Sequence, residues 1–89
     1  MLSVRPTSQF KKDLKKAIKQ GRSTESLEFV LEQLARREAL PPSYKDHKLR
    51  GNWQDFRECH IEPDWLLIYT ITDFELRPAR LGTHAELFG

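Results

Sequence analysis

Two consecutive prolines, Pro41 and Pro42, divide this 89-residue chain into halves with different hydrophobic periods. Neither can continue a helix, because each lacks a backbone N–H and restricts the residue before it. Ahead of them, Phe10, Leu14, Ala17 and Ile18 fall on one helical face, while Lys11, Lys12, Lys15, Lys16 and Lys19 occupy the rest of that helix. Thr7 suits its N-cap and Gly21 its stop; Ser23 or Thr24 can cap a second helix, with Glu25 in the favourable first turn. Leu27, Val30, Leu31, Leu34 and Ala35 give that second helix its apolar stripe. Beyond the prolines the period becomes that of strands, in segments 56–61, 65–72 and 76–81. Pro63-Asp64 and Asp73-Phe74 are the turns between them, and Leu66-Leu67-Ile68-Tyr69, apolar on both parities, marks the central strand. Pro78 cannot donate to a ladder and requires an edge or a bulge. With Leu2-Ser3-Val4-Arg5 as an opening strand, the pattern predicts an α+β fold. An N-terminal strand and two antiparallel helices pack on a twisted antiparallel β-sheet, in a single domain spanning residues 1–89.

The charge is unevenly placed. Residues 1–50 hold twelve Lys and Arg against six Asp and Glu, whereas residues 51–89 hold three against seven. A concentrated basic region is the electrostatic footprint of a polyanion partner, although the helix lysines taken alone fit a merely solvated face. No apolar run approaches the ~20 residues needed to span a bilayer, and the start of the chain has no hydrophobic signal core. Cys59 is the lone cysteine, which rules out an internal disulfide and makes a buried, inert thiol the simpler reading. A cytoplasmic protein with no membrane association is the expectation.

All three histidines lie in the second half, at the edges of strand-like segments: His47, His60 and His84. Imidazole is the side chain best suited to moving protons near neutral pH. Cleavage of RNA by its own 2′-hydroxyl needs a proton acceptor there, a donor at the departing 5′-oxygen, and positive charge around the phosphorane. His47, His60, His84 and Asp64 are candidates for proton transfer; Lys45, Lys48, Arg50 and Arg80 are candidates for holding phosphate; Trp65 and Phe88 are candidates for stacking on bases. Each has a duller alternative: a surface or core histidine, a turn aspartate, a buried tryptophan. A metal site is not expected, since Pro63 prevents the helix on which His60 and Asp64 would share a face, and no second ligand pair stands at a recognised spacing. No cofactor motif is present. On these residues alone, the chain reads as a small basic α+β domain equipped to act on RNA.

The runs Leu40-Pro41-Pro42-Ser43-Tyr44-Lys45-Asp46-His47-Lys48-Leu49-Arg50-Gly51-Asn52-Trp53, Arg57-Glu58-Cys59-His60-Ile61-Glu62-Pro63-Asp64-Trp65-Leu66-Leu67-Ile68-Tyr69 and Arg80-Leu81-Gly82-Thr83-His84-Ala85-Glu86-Leu87-Phe88-Gly89 go further. In order and at these spacings they resemble the YafQ-type branch of the RelE/ParE toxin superfamily. The resemblance implies a RelE-like microbial ribonuclease-type fold and a bacterial type II toxin. It implies an endoribonuclease that cuts translated mRNA in the ribosomal A site without metal. It also implies a cognate antitoxin, DinJ- or RelB-like with a ribbon-helix-helix fold, and contact with operator DNA only through the antitoxin complex. The family's functional positions fall on His47, His60, Asp64, Trp65, His84 and Phe88. Within that reading His84 is the candidate general acid, His47 or Asp64 the base, His60 a phosphate-positioning group and Arg80 a transition-state contact. The basic helices and Lys45, Lys48 and Arg50 would then grip ribosomal RNA. Two other readings stay open: a ParE-like poison of DNA gyrase, which does not need the histidines, and a non-enzymatic nucleic-acid-binding module.

Overall fold

A computed structural model describes all 89 residues, Met1 to Gly89. In chain order the elements are β1 (Ser3–Val4), α1 (Ser8–Lys19), α2 (Glu25–Ala35), a 3-10 turn at Pro42–Tyr44, β2 (His47–Lys48), a second 3-10 turn at Gly51–Trp53, β3 (Arg57–Glu62), β4 (Trp65–Ile71), β5 (Glu75–Gly82) and α3 (His84–Phe88). The strands form one sheet in the order β1-β5-β4-β3-β2. The expected antiparallel sheet is in fact mixed. β1 runs parallel to β5, pairing Ser3 with Glu75 and Val4 with Leu76, because the two helices return the chain to the same end of the sheet.

β4 lies at the centre, as its two-sided apolarity predicts. Trp65, Leu67 and Tyr69 face a core built with Leu2, Phe10, Ala17, Leu27, Val30 and Leu34, under α1 and α2. Leu66 and Ile68 face the opposite way, into a smaller core with Ala79 and Leu87, flanked by Leu49, Trp53 and Phe56. Three expected apolar positions differ: Ile18 is exposed, and Leu14 and Leu31 are only half-buried at the edge of the core. Cys59 is fully buried, and burial first, with the Asp46 and Glu58 charges behind it, pushes its thiol up to about 12. It is inert at neutral pH.

Pro78 is accommodated by a bulge rather than by an edge. Ile68 pairs with Arg80 and Tyr69 with Pro78, so Ala79 is the extra residue on β5. The outer side of this irregular stretch is covered from the N-terminal half. The Thr7 N–H donates to the Pro78 carbonyl (3.0 Å), and the Thr7 hydroxyl, while accepting from the Phe10 N–H (3.0 Å) as the helix cap, donates to the Ala79 carbonyl (2.9 Å). One turn later, Asp13 accepts from the Leu81 N–H (3.0 Å) and from Arg80 Nε (2.9 Å). Side chains of α1 thus substitute for the missing strand neighbour beyond β1.

Burial pushes the Asp13 carboxyl upward, but the bonds from Arg80, the Leu81 N–H and Gln9, with the Arg80 charge, outweigh it and hold the group below its ordinary value of 3.8. A carboxyl depressed on folding contributes stability that is complete well above its unfolded value and is lost as pH falls through the folded one. Asp13→Ala leaves a buried N–H and a guanidinium unpaired, so chemical denaturation at neutral pH should show a loss of about 2–3 kcal/mol. Asp13→Asn should flatten the decline in stability of the parent below pH 4.

Candidate active site

The face of the sheet away from α1 and α2 carries Glu58 and His60. Alternation along β3 sends Cys59 and Ile61 to the helix side and Glu58 and His60 to the other. Pairing of His47 with Glu58 between β2 and β3 brings the first histidine beside them. The Pro63-Asp64 turn and the start of α3 meet at the adjoining end of the sheet. There the Asp64 Oδ1 accepts from both the His84 backbone N–H (3.0 Å) and the His84 Nδ1 (2.7 Å).

Local sequence explains why α3 forms there. Thr83-His84-Ala85-Glu86 is a capping box: the Thr83 hydroxyl accepts from the Glu86 N–H, and the Glu86 carboxylate accepts from the Thr83 N–H (2.9 Å). Lys16 Nζ reaches the other Glu86 oxygen at 2.7 Å, tying α3 to α1. That ion pair, together with the Thr83 N–H bond, holds the Glu86 carboxyl below its ordinary range. Gly82 lets α3 fold back this closely, because a Cβ there would stand 3.1 Å from the Glu86 Oε1 and 3.2 Å from Leu87 Cδ2. Leu87 is the buried anchor, and Phe88 remains half exposed.

Glu58 is the residue that sequence reasoning passed over. It is 4% exposed, and its Oε1 lies 3.6 Å from His47 Nε2 and 3.7 Å from His60 Nε2. The His60 and His84 rings are 5.6 Å apart, edge to face. Glu58, His60 and His84 each offer one ligand-type atom, all within 4.8 Å of one another. The fold thus brings together three groups able to hold a metal ion, where spacing along the chain suggested none. These ligands come from one strand and a distant helix, so no spacing along the chain reveals them.

The three imidazoles share one orientation. His47 Nδ1 faces the Lys45 carbonyl (2.6 Å), His60 Nδ1 the Pro63 carbonyl (3.3 Å) and His84 Nδ1 the Asp64 carboxylate. All three partners are acceptors only, so each Nδ1 carries a hydrogen and each Nε2 is left to take or give a proton. Asp64 is 64% exposed in its side chain. The bonds from the His84 backbone and ring, and then the charges of His84 and Arg22, hold its carboxyl below 3.8. It is ionised at any pH at which imidazole titrates.

The remaining expected residues are dispersed. Lys45 lines a cleft of about 420 Å³ with Tyr44, His60 and Pro63. Lys48 and Arg50 border a separate depression beside Gly51. Arg80 is turned to Asp13 and lines a groove of about 370 Å³ between α1 and α3, with Lys12, Lys16, Arg22 and Trp65. Trp65 offers no face to a base. It is 1% exposed, packed in the larger core with the Arg22 guanidinium 4.9 Å from its ring centroid. Opening an apolar strand outweighed its neighbourhood to Asp64.

Residues 2–89 match the family described as "Bacterial toxin of type II toxin-antitoxin system, YafQ". This chain belongs to the YafQ toxin family. The mRNA interferase toxin YafQ of Escherichia coli K12 is 45% identical over 84 residues, which are 93% of this chain and 91% of that protein. The E. coli DinJ–YafQ complex contains a chain of TM-score 0.92 and 42% identity, with both chains fully covered. A copper-bound mutant toxin from Helicobacter pylori matches with TM-score 0.96 and 43% identity, over 99% of this chain and all of that one. No helix of the present fold is long and apolar enough to cross a membrane.

The common orientation of the rings is directly measurable. Long-range nitrogen–proton correlation spectra recorded above the imidazole titration should show all three histidines as the Nδ1–H tautomer. A ring found as Nε2–H would remove it from the set with a free Nε2.

Proposed function

We propose that this toxin is a ribosome-dependent endoribonuclease that cleaves translated mRNA by general acid–base catalysis. One observation carries the reading: His60 and His84 stand with ring centres 5.6 Å apart, each with a carboxylate beside it, Glu58 near His60 Nε2 and Asp64 at His84 Nδ1. In the proposed reaction the ribose 2′-oxygen attacks the adjacent phosphorus while His60 Nε2 takes its proton. The phosphorus–5′-oxygen bond breaks as His84 Nε2 protonates the leaving oxygen, giving a 2′,3′-cyclic phosphate and a 5′-hydroxyl. Glu58 stabilises the positive charge that develops on His60, and His47, when protonated, places positive charge near the phosphorane. We assign Asp64 to orientation rather than to the base, since its Oδ1 accepts twice from His84. It orients His84 and favours the imidazolium that donates. Lys45 lines the cleft that opens onto His60, and Phe88 remains available for stacking on a base.

The ribosome is supported by the surface of α1. Lys11–Lys15, Lys15–Lys19 and Lys12–Lys16 are like-charge pairs four residues apart, each costing a helix about 0.2–0.5 kcal/mol. Of these lysines only Lys16 has an acidic partner. A helix face of largely unpaired cations suits the phosphates of a large RNA. By relation to the E. coli complex, a DinJ-like antitoxin neutralises the protein. A gyrase poison or a plain binding module has no use for paired carboxylate–imidazole groups.

Primer extension on a translated message, with purified ribosomes, tests the reading. Wild-type protein should give discrete cuts inside the reading frame, and His84→Ala should lower the rate about 10²- to 10⁴-fold. Absence of cuts with the wild type sinks the nuclease.

The Glu58, His60 and His84 set favours a second property, binding of a borderline metal ion. Two imidazoles and a carboxylate suit copper or zinc, and the copper-bound relative has the same fold. An ion held there would take the nitrogens needed for proton transfer. Added Cu²⁺ should therefore inhibit cleavage, with activity restored by a chelator.

A further inference from the structure

Arg22 belongs to none of the motifs above, yet it touches both sides of the turn that carries Asp64. It stands in the loop between α1 and α2, just after Gly21, whose φ of +81° turns the chain there, and its own N–H donates to the Ala17 carbonyl (3.1 Å). Its side chain is 29% exposed. One guanidinium nitrogen lies 3.0 Å from Glu62 Oε1, and the guanidinium carbon is 4.9 Å from the Trp65 ring centroid. Glu62 is the last residue of β3 and Trp65 the first of β4. A single planar group therefore grips both strands where they enter the Pro63-Asp64 turn.

The turn needs such a grip. Asp64 is exposed; its side-chain hydrogen bonds run to His84 at the start of the short α3, and the turn's other side-chain contact is the long one from His60 Nδ1 to the Pro63 carbonyl (3.3 Å). The Ile61 bulge also breaks the β3–β4 register just before it, between the pairs His60–Leu66 and Glu62–Trp65. Exposed turns beside an irregular ladder open locally at small cost in free energy. Arg22, by contrast, follows directly on α1, to which its N–H returns at the Ala17 carbonyl, and α1 is locked to β5 through Asp13.

We propose that Arg22 is a positioning residue, which clamps the β3–β4 turn so that Asp64 holds His84 in its working orientation. The line of support runs from α1 through Arg22 to Glu62 and Trp65, then to Asp64 and His84. Its positive charge also lies close enough to help keep the Asp64 carboxylate ionised. Arginine suits the task better than lysine, since its flat fork pairs with a carboxylate while stacking on a ring. The inference rests on the reading of Asp64 and His84 as an acid–base unit. The rival role for Arg22 is direct contact with RNA, because it also borders the groove that holds Lys12 and Lys16.

Arg22→Gln, Arg22→Lys and Glu62→Gln, each confirmed as folded by circular dichroism, separate the two roles. The readouts are steady-state cleavage on programmed ribosomes and hydrogen exchange at the His84 amide, whose N–H is donated to Asp64. Clamping predicts that Arg22→Gln lowers kcat about tenfold with KM nearly unchanged. It also predicts faster His84 exchange, partial rescue by Arg22→Lys, and a Glu62→Gln variant that behaves like Arg22→Gln. If Arg22→Gln instead raises KM and leaves kcat and His84 exchange as in the wild type, Arg22 is an RNA contact and the clamp is refuted. The exchange arm needs no activity: with a wild type that does not cleave, the nuclease reading falls, while unchanged His84 protection in Arg22→Gln overturns the clamp by itself.

Discussion

A central strand that is apolar on both sides governs this molecule. Leu66 and Ile68 need cover as much as Trp65, Leu67 and Tyr69 do, so both faces of the sheet must be closed. The first face is closed by two full helices. The second receives only the residues around the Gly51–Trp53 turn and the five-residue α3, whose single buried side chain is Leu87. Small covers leave part of that face open, and the polar positions of β2 and β3 emerge there. His60 is partly open to solvent on this thinly covered face, with the buried Glu58 carboxylate beneath it. On the helix side the same alternation produces the buried, unreactive Cys59.

Electrostatics then differentiates groups of one chemical type. Each histidine has its Nδ1 occupied by an acceptor, which leaves Nε2 as the free nitrogen, near Glu58 in His47 and His60. Their carboxylates differ more. Glu58 is buried and stands between two rings without a close hydrogen bond to either, whereas Asp64 is exposed and bonded twice to one residue. The first suits stabilisation of a charge that comes and goes, and the second suits orientation. Comparable contacts hold the frame, since Asp13 on α1 and Glu86 on α3 both bind backbone and a cation at once.

Most of the frame was legible from period and punctuation. The lysine-faced helix, its Thr7 cap, the stop at Gly21, the central strand and the Pro78 irregularity all follow from local rules. The parallel direction of β1 was not, because it depends on where two helices deliver the chain. Thr83 and Glu86 spelled a capping box that would have announced α3, and that signal was available three residues apart. Glu58 had no such signal: an acid in a strand becomes notable only when register sets it opposite His47. The Asp64–His84 contact joins residues twenty apart through a hairpin and a helix start, which no pattern along the chain encodes. Trp65 shows the reverse failure, where proximity to functional residues suggested a role and its place on an apolar strand assigned another.

The parallel pairing of β1 with β5 has a consequence for how the protein comes into being. The bond between Thr7 and Ala79 spans 72 positions of sequence, and Leu2 finds its core only among residues gathered from both halves. Closing so long a loop is an entropic cost met before its contacts repay it, so the opening segment docks late. A nascent chain that lacks β5 offers β1 no strand to join and offers Thr7 and Asp13 no backbone to bind. Folding is thereby tied to translation of nearly the whole sequence, and prematurely ended chains are left as open helices, fit for proteolysis rather than for toxicity.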